Sequence, residues 1–375
     1  MNSWHFHIRP ATWFKLIIMG LIGLVLMVGV THNQHFYHQS IAKVTHVSNG
    51  RPQPQVDGLQ NKDELIYQRL TAKIMNGRHE GKTIVLNNSY SHSYTTDFRF
   101  HPGSQIFVSQ VHRHGQQLAG TISGVKRDAT IAFLAWLVVT MLVLLMGSNG
   151  LKAFLSVVVN TALFIFAIYL DQRVVDSWVL VIFAGLTILF AATSLIIILG
   201  WNKKMLATLL ATLIGVATSV FLGELILHLT DNRGVFYESM QYVTQVPKTL
   251  FIAELMLGSL GAVMDECSDI IATLFELRQL NPQISRPQLF FAGQNVGKEI
   301  MGPLINVLFL IFMAGTFASS VLYLKNGNGW GYTFNMNMSL GMVQSLISGI
   351  GISLVVPLVS GFGALLLGRS DQHDE

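Results

Sequence analysis

The chain has 375 residues, of which 51% are hydrophobic and only 12% charged, with a net charge of +4. A soluble domain carries about 25% charged residues, so this composition excludes a soluble enzyme, a nucleic-acid binder and a disordered protein. The charge is also uneven, because 17 of the 44 formal charges fall between Thr31 and Asp128. That pattern describes one water-facing domain and a large apolar remainder that belongs in a membrane.

Crossing about 30 Å of hydrocarbon takes roughly 20 apolar residues. Eight runs qualify, near residues 12–30, 129–147, 151–170, 178–200, 205–229, 247–268, 299–323 and 341–367. The first follows Arg9 and Lys15 and lacks a small-x-small cleavage site, which reads as an uncleaved anchor. Alternate short loops carry Lys152, then Lys203 and Lys204, then Arg278, Arg286 and Lys298, then Arg369. The opposite loops hold fewer basic residues, so the positive-inside rule places both termini in the cytoplasm. The expected organisation is an anchor (1–31), an extracytoplasmic β domain (32–126), a seven-span block (127–368) and a cytoplasmic tail (369–375).

Within the β domain, Leu70–Met75 alternates apolar and polar residues, Asn76-Gly77 signals a hairpin, and Thr83–Leu86 supplies the returning strand. Ile106–Val111 is a further strand, and the set fits a small barrel or sandwich. The stretch Asn49–Pro54 reads as a linker or loop. Nine of the 13 histidines lie in this domain. His112 and His114 share a strand face, but no acid or thiolate completes a metal-ligand spacing, so they are weak metal candidates. The single cysteine, Cys267, excludes an intramolecular disulfide.

The most informative stretch is Gly258–Asp269, which contains Asp265, Glu266 and Asp269. Carboxylates in a membrane segment are functional candidates by default. Asp265 and Asp269 are four apart and share a helix face, so one must take a proton or a cation must bind. The other reading makes the cluster the cytoplasmic end of the span, since Pro247–Leu277 is too long for one upright crossing. Glu224 has His228 four residues on, and Glu254 lies two turns into the next span. These three are expected to meet near the outer leaflet, where a Glu–His pair suits a proton or a transition metal.

Asn281-Pro282 ends one helix, and Ser285 with Pro287 opens the next. That helix carries Asn295, Lys298, Glu299 and Asn306. Both asparagines are expected to be buried amides lining a polar path, with Lys298 and Glu299 pairing with the acidic cluster. In the last span Gly341, Ser345, Gly349 and Ser353 recur every four residues, a stripe for close packing. No metalloprotease, dinucleotide, P-loop or hydrolase signature is present, and Asp265 and Asp269 on one helix do not make an aspartyl protease.

Residues 258–310 resemble the YibE/F family of bacterial multispanning membrane proteins. The resemblance rests on Gly261–Asp265, Glu276-Leu277, Asn281–Arg286, Gly293–Gly297, Met301-Gly302 and Asn306. It implies an anchor, an outer β domain and a seven-span block, and no defined activity. Glu266 stands where that family has a small or apolar residue, Asp269 where it has a serine, and Pro303 where it has a threonine. Asp265 is the acid the resemblance shares.

The reading that follows is a transporter or permease-like carrier of a small solute or cation in the bacterial cytoplasmic membrane. Its path residues would be Asp265, Glu266, Asp269, Asn295, Glu299, Asn306, Glu254 and Glu224, with a bound cation as the implied cofactor. The alternative is a non-transporting scaffold or receptor that binds through its outer domain. The expected partners are the lipid bilayer and a second copy or another membrane protein, with no nucleic acid.

Overall fold

The computed structural model describes residues 10–56, 58, 60–94, 97–114, 117–174, 178–240 and 247–367. The chain divides into two compact units, residues 1–150 and 151–375.

In the first unit, six strands follow the helix α1 (Pro10–Thr31): β1 (Ser40–Asn49), β2 (Gln53–Val56), β3 (Lys62–Ile74), β4 (Thr83–Ser91), β5 (Gln105–His114) and β6 (Gln117–Val125). The period-2 alternation of β3 puts Gln68, Leu70, Ala72 and Ile74 inside and Tyr67, Arg69 and Lys73 outside. β1 pairs with both β3 and β5, β3 with β4, β4 with β6 in parallel, and β6 with β5. These pairings close a five-stranded barrel around Val44, Leu70, Ile84, Leu86, Phe100 and Ile106. Taken without β2, the circuit of strands one-two-three-five-four back to one, with a parallel third and fifth strand, is that of the OB barrel. Among the described residues no helix joins the third strand to the fourth.

Two details differ from the sequence reading. The stretch read as linker contributes β2, an edge strand on β3 that tolerates Pro54 because an edge has a free side. The Asn76-Gly77 turn is longer than a two-residue hairpin, because Asn76 is drawn inward. Its side chain accepts from the Ile41 N–H at 2.6 Å and donates to the carbonyls of Gln34, Tyr37 and Gln39.

The barrel is tied to α1 and to α2 (Asp128–Met146) through one polar node. Asp128 accepts from Lys126 at 2.8 Å, from Tyr37 at 2.9 Å and from Asn33 at 3.0 Å. Lys126 also donates to the Val30 carbonyl at the end of α1. Burial, and then the adjacent Asp128 carboxylate, hold the Tyr37 phenol above its ordinary pKa. Lower down, Gly23 of α1 makes room for the Trp136 indole of α2, whose N–H reaches the Met19 carbonyl at 2.9 Å.

The second unit contains α3 (Ser148–Asp171), α4 (Val179–Leu199), α5 (Lys203–Leu229), α6 (Pro247–Leu280), α7 (Arg286–Lys325), α8 (Trp330–Thr333) and α9 (Ser339–Leu367). A π turn, Phe334–Met338, joins α8 to α9. α6 is the central helix, packed by α4, α5, α7 and α9. Its Val263, Cys267, Ile270 and Leu274 form the core with Ala211 and Val355. α7 opens with the expected cap, in which Ser285 and Gln288 satisfy each other's backbone N–H groups. It then runs unbroken for 40 residues through Pro303.

Seven of these helices are long and apolar enough to cross a membrane. The segment expected as a sixth span is helical but is not among them, because α6 carries Lys248, Glu254, Asp265, Glu266 and Asp269 along 34 residues.

Candidate functional site

α6 has two unlike faces. Glu254, Gly258, Gly261, Asp265 and Asp269 lie along one stripe, all exposed. Ser259, Val263, Glu266, Cys267 and Ile270 lie on the other and are buried. Asp265 and Asp269 therefore share a face, as their spacing requires, but that face points away from the core of this unit. The neighbouring Glu266, about 100° round the helix, is fully buried. Neither of its carboxylate oxygens has a hydrogen-bond partner.

Close helix contacts fix what surrounds Glu266. Gly215 of α5 is pressed against Val263 of α6 and Val355 of α9, and a Cβ there would collide with both. Three residues beyond that contact on α6 is Glu266, and three residues back along the antiparallel α5 is Thr212, which lies beside Cys267. Each is displaced by about 4.5 Å along its axis. Ser360 lies five residues past Val355 and packs onto Gly293 of α7, next to Gln294. Ser360 Oγ and Gln294 Nε2 are buried and without hydrogen-bond partners, like the two oxygens of Glu266, while the Thr212 hydroxyl lies against the Cys267 thiol.

The helix register thus brings Glu266, Thr212, Ser360 and Gln294 to neighbouring levels of one slab of the core. Buried polar groups are paired in about 90% or more of cases, so a fully buried carboxylate with both oxygens unpaired marks a candidate site. A carboxylate there must carry a proton or meet a cation. The carboxylate oxygens and the Ser360 hydroxyl suit a proton or a hard cation, and the Gln294 amide N–H is placed as a donor.

The sequence profile of the YibE/F-like protein family matches residues 134–369, and that of the YibE/F family N-terminal domain matches residues 35–125. The chain belongs to the YibE/F family. Neither a curated protein nor a solved structure matches it. The N-terminal match coincides with the barrel, and the longer one contains the whole Glu266 slab. Its family and its long apolar helices make it a multi-pass membrane protein.

The other expected site residues of this YibE/F chain are dispersed. Asn295 and Asn306 are exposed, not buried, because α7 turns Gly293 and Gly297 toward α9 and so rotates both amides outward. Lys298 and Glu299 are likewise exposed, and no ion pair joins them to the acids of α6 among the described residues. Glu224 meets Lys248 at 3.7 Å, and among the described residues no hydrogen bond or ion pair joins it to His228 or Glu254. Burial, and then the Glu224 carboxylate, hold the nearby Tyr237 phenol above its ordinary pKa. Glu254 borders a groove of about 440 Å³ between α6, α7 and α9, where Gln344 donates to its carbonyl at 3.4 Å. His112 bonds the Gln110 carbonyl at 2.8 Å, and the side chain of His114 lies outside the described residues. The described residues hold no group of three or more His, Cys, Asp or Glu able to bind a metal.

Three polar centres escaped the sequence reading. Thr212, Ser360 and Gln294 sit in apolar helices where a hydroxyl or amide raises no alarm. Asn337, in the π turn, bonds Ser319 at 2.9 Å, Ser320 at 2.7 Å and the Thr316 carbonyl at 3.2 Å, clasping α7. Asn160 bridges α3 to Ser194 and Thr193 of α4. A search for polar residues inside apolar runs would have flagged all of them.

Proposed function

We propose that this chain is a carrier for a small cation, or for a small solute whose movement is coupled to a cation or proton, with Glu266 at the centre of its site. The proposal places eight spans in the bacterial cytoplasmic membrane, both termini inside and the barrel outside. The observation that carries it is the full burial of Glu266 with neither carboxylate oxygen paired. A carboxylate is retained in a helical core at a cost of several kcal/mol. A helix that only fills space has no use for it, whereas a carrier needs a charge that can be neutralised and released. Asp265 and Asp269, on the adjoining stripe, are placed to attract the ion on its way to Glu266.

The test is thermal unfolding of the purified protein, titrated with protons and with Li⁺, Na⁺, K⁺, Mg²⁺ and Ca²⁺. Occupancy at 100 times the dissociation constant stabilises by about 2.7 kcal/mol, a rise of roughly 5–10 °C for a unit of this size. Glu266→Gln is expected to abolish the rise while Asp265→Asn keeps it. Flux of the stabilising ion into proteoliposomes then separates a carrier from a static site. If Glu266→Gln responds like the wild type, the proposal fails.

A further inference from the structure

We propose that the outer face of the barrel formed by β3, β4 and β6 is a binding site for an acidic polysaccharide. Two concavities of about 410 and 310 Å³ lie there side by side and share Val85, Gln117 and Leu118. One is bordered by Lys82, Thr71 and Thr83, the other by Arg69 and Asn87. Together they form a trough across three strands. Tyr67, 52% exposed, continues it two positions before Arg69 on the same face. Tyr67 and Lys73 flank it on the same face of β3, about 20 Å apart.

The charges along it are unbalanced. Residues 32–126 contain ten Lys and Arg against five Asp and Glu, a net +5 that exceeds the +4 of the whole chain. β1, β4, β5 and β6 contain no acid at all, and the acids of β3 are at its far end, at Asp63 and Glu64. Lys43 and Lys73 stand directly opposite each other across the β1–β3 ladder, both exposed. A like-charge pair in that position destabilises a sheet. Among the described residues neither these lysines nor Arg69 nor Lys82 meets a carboxylate. A local cost of this kind, left without compensation in the fold, is the mark of a functional surface. An anion lying between the cations removes it.

The rest of the trough decides the class of anion. Hydroxyls, amides and an exposed phenol ring suit the hydroxyls and flat faces of sugar rings. Barrels with this strand order bind oligosaccharides or oligonucleotides on the face of their second and third strands, which here are β3 and β4. The choice of polysaccharide over nucleic acid rests on the outward placement of the barrel proposed above. Labelling an Asn87→Cys variant in intact cells tests that placement separately.

The binding test uses the full-length protein in phosphatidylcholine nanodiscs, with labelled polygalacturonate oligomers, neutral dextran of equal length and oligothymidylate as probes. Polygalacturonate is expected to bind, with an affinity that falls as salt rises. The Arg69→Glu/Lys73→Glu protein is expected to bind about tenfold more weakly, and Arg69→Gln/Lys73→Gln gives the same answer should the charge reversal not fold. Lys62→Glu, at the far end of β3, should leave binding unchanged. Equal binding of dextran, tighter binding of oligothymidylate, or a folded double variant that binds like the wild type overturns the proposal. So does binding to phosphatidylglycerol vesicles through Arg69 and Lys73 in the absence of any polygalacturonate binding.

Discussion

Lys126 and Asp128 form an ion pair of 2.8 Å in which the lysine side chain is 2% exposed and the carboxylate 24%. The pair lies where the barrel becomes α2, and Lys126 reaches back to the Val30 carbonyl that ends α1. Three segments are thus held by two side chains separated by one residue. Removing one partner of a buried pair costs several kcal/mol, less where one side stays wet. Asp128→Ala is expected to lower stability by about 2 kcal/mol, because it strands a buried ammonium. Asp128→Asn, which still accepts hydrogen bonds, should cost less. Limited proteolysis at the 126–128 junction and thermal unfolding check both.

Gly351 of α9 packs directly on Ser219 of α5, with no room for a methyl group. Gly351→Ala is expected to destabilise by about 1–3 kcal/mol through overpacking. Combining it with Ser219→Gly should recover most of that loss, since each change acts on the same contact. A double-mutant cycle on thermal unfolding measures the coupling. Simple additivity would show that α5 and α9 do not meet at this point.

Asp63 gives the barrel a pH response. The Ser93 hydroxyl, and then the Glu64 backbone N–H, hold its carboxyl below the ordinary 3.8. Because the folded value is the lower one, the contribution is fully present above the unfolded pKa and is lost as pH falls through the folded one. Wild type and Asp63→Asn should therefore differ in barrel unfolding at pH 7 and converge as pH falls through the folded value. Circular dichroism melts across that range are the measurement.

Asn76 makes four hydrogen bonds from a buried position, to the backbone of Ile41, Gln34, Tyr37 and Gln39. Asn76→Ala leaves those groups dry and unpaired, for an expected loss of about 2–3 kcal/mol. Asn76→Asp keeps the acceptor for Ile41 and should fall between the two. Hydrogen exchange at the Ile41 amide reports the bond directly.

Asn76 also shows where reading a sequence stops. The Asn-Gly pair announced a reversal between two strands, and β3 and β4 are there with the expected alternation. The role of Asn76 as an internal clasp depended on a segment 37–42 residues earlier in the chain, which no local pattern reveals. The helices were legible for the same reason as the strands, since a long apolar run has few other fates. The acidic cluster was legible as a feature but not in its orientation. Asp265 and Glu266 are adjacent, and which one enters the core depends on where α5 and α9 pack. That is decided by contacts such as Gly215 with Val355, which lie 140 residues apart in the chain. Thr212 and Ser360 gain meaning only once those contacts set the register.

The 40 residues of α7 have a mechanical consequence. At 1.5 Å per residue the helix measures about 60 Å, twice the thickness of the hydrocarbon layer. Pro303 stands near its midpoint, with Arg286, Lys298 and Glu299 before it and no further charge until Lys325. Proline cannot supply the N–H that would tie this turn to the one before, so bending is cheapest there. α7 is in effect a lever in two halves, one carrying charges and packed on α9 and one apolar and uncharged as far as Lys325, with its swivel between them. The arm that turns Gly293 toward Ser360 is the charged one, so any swing of that arm is felt in the core that holds Glu266.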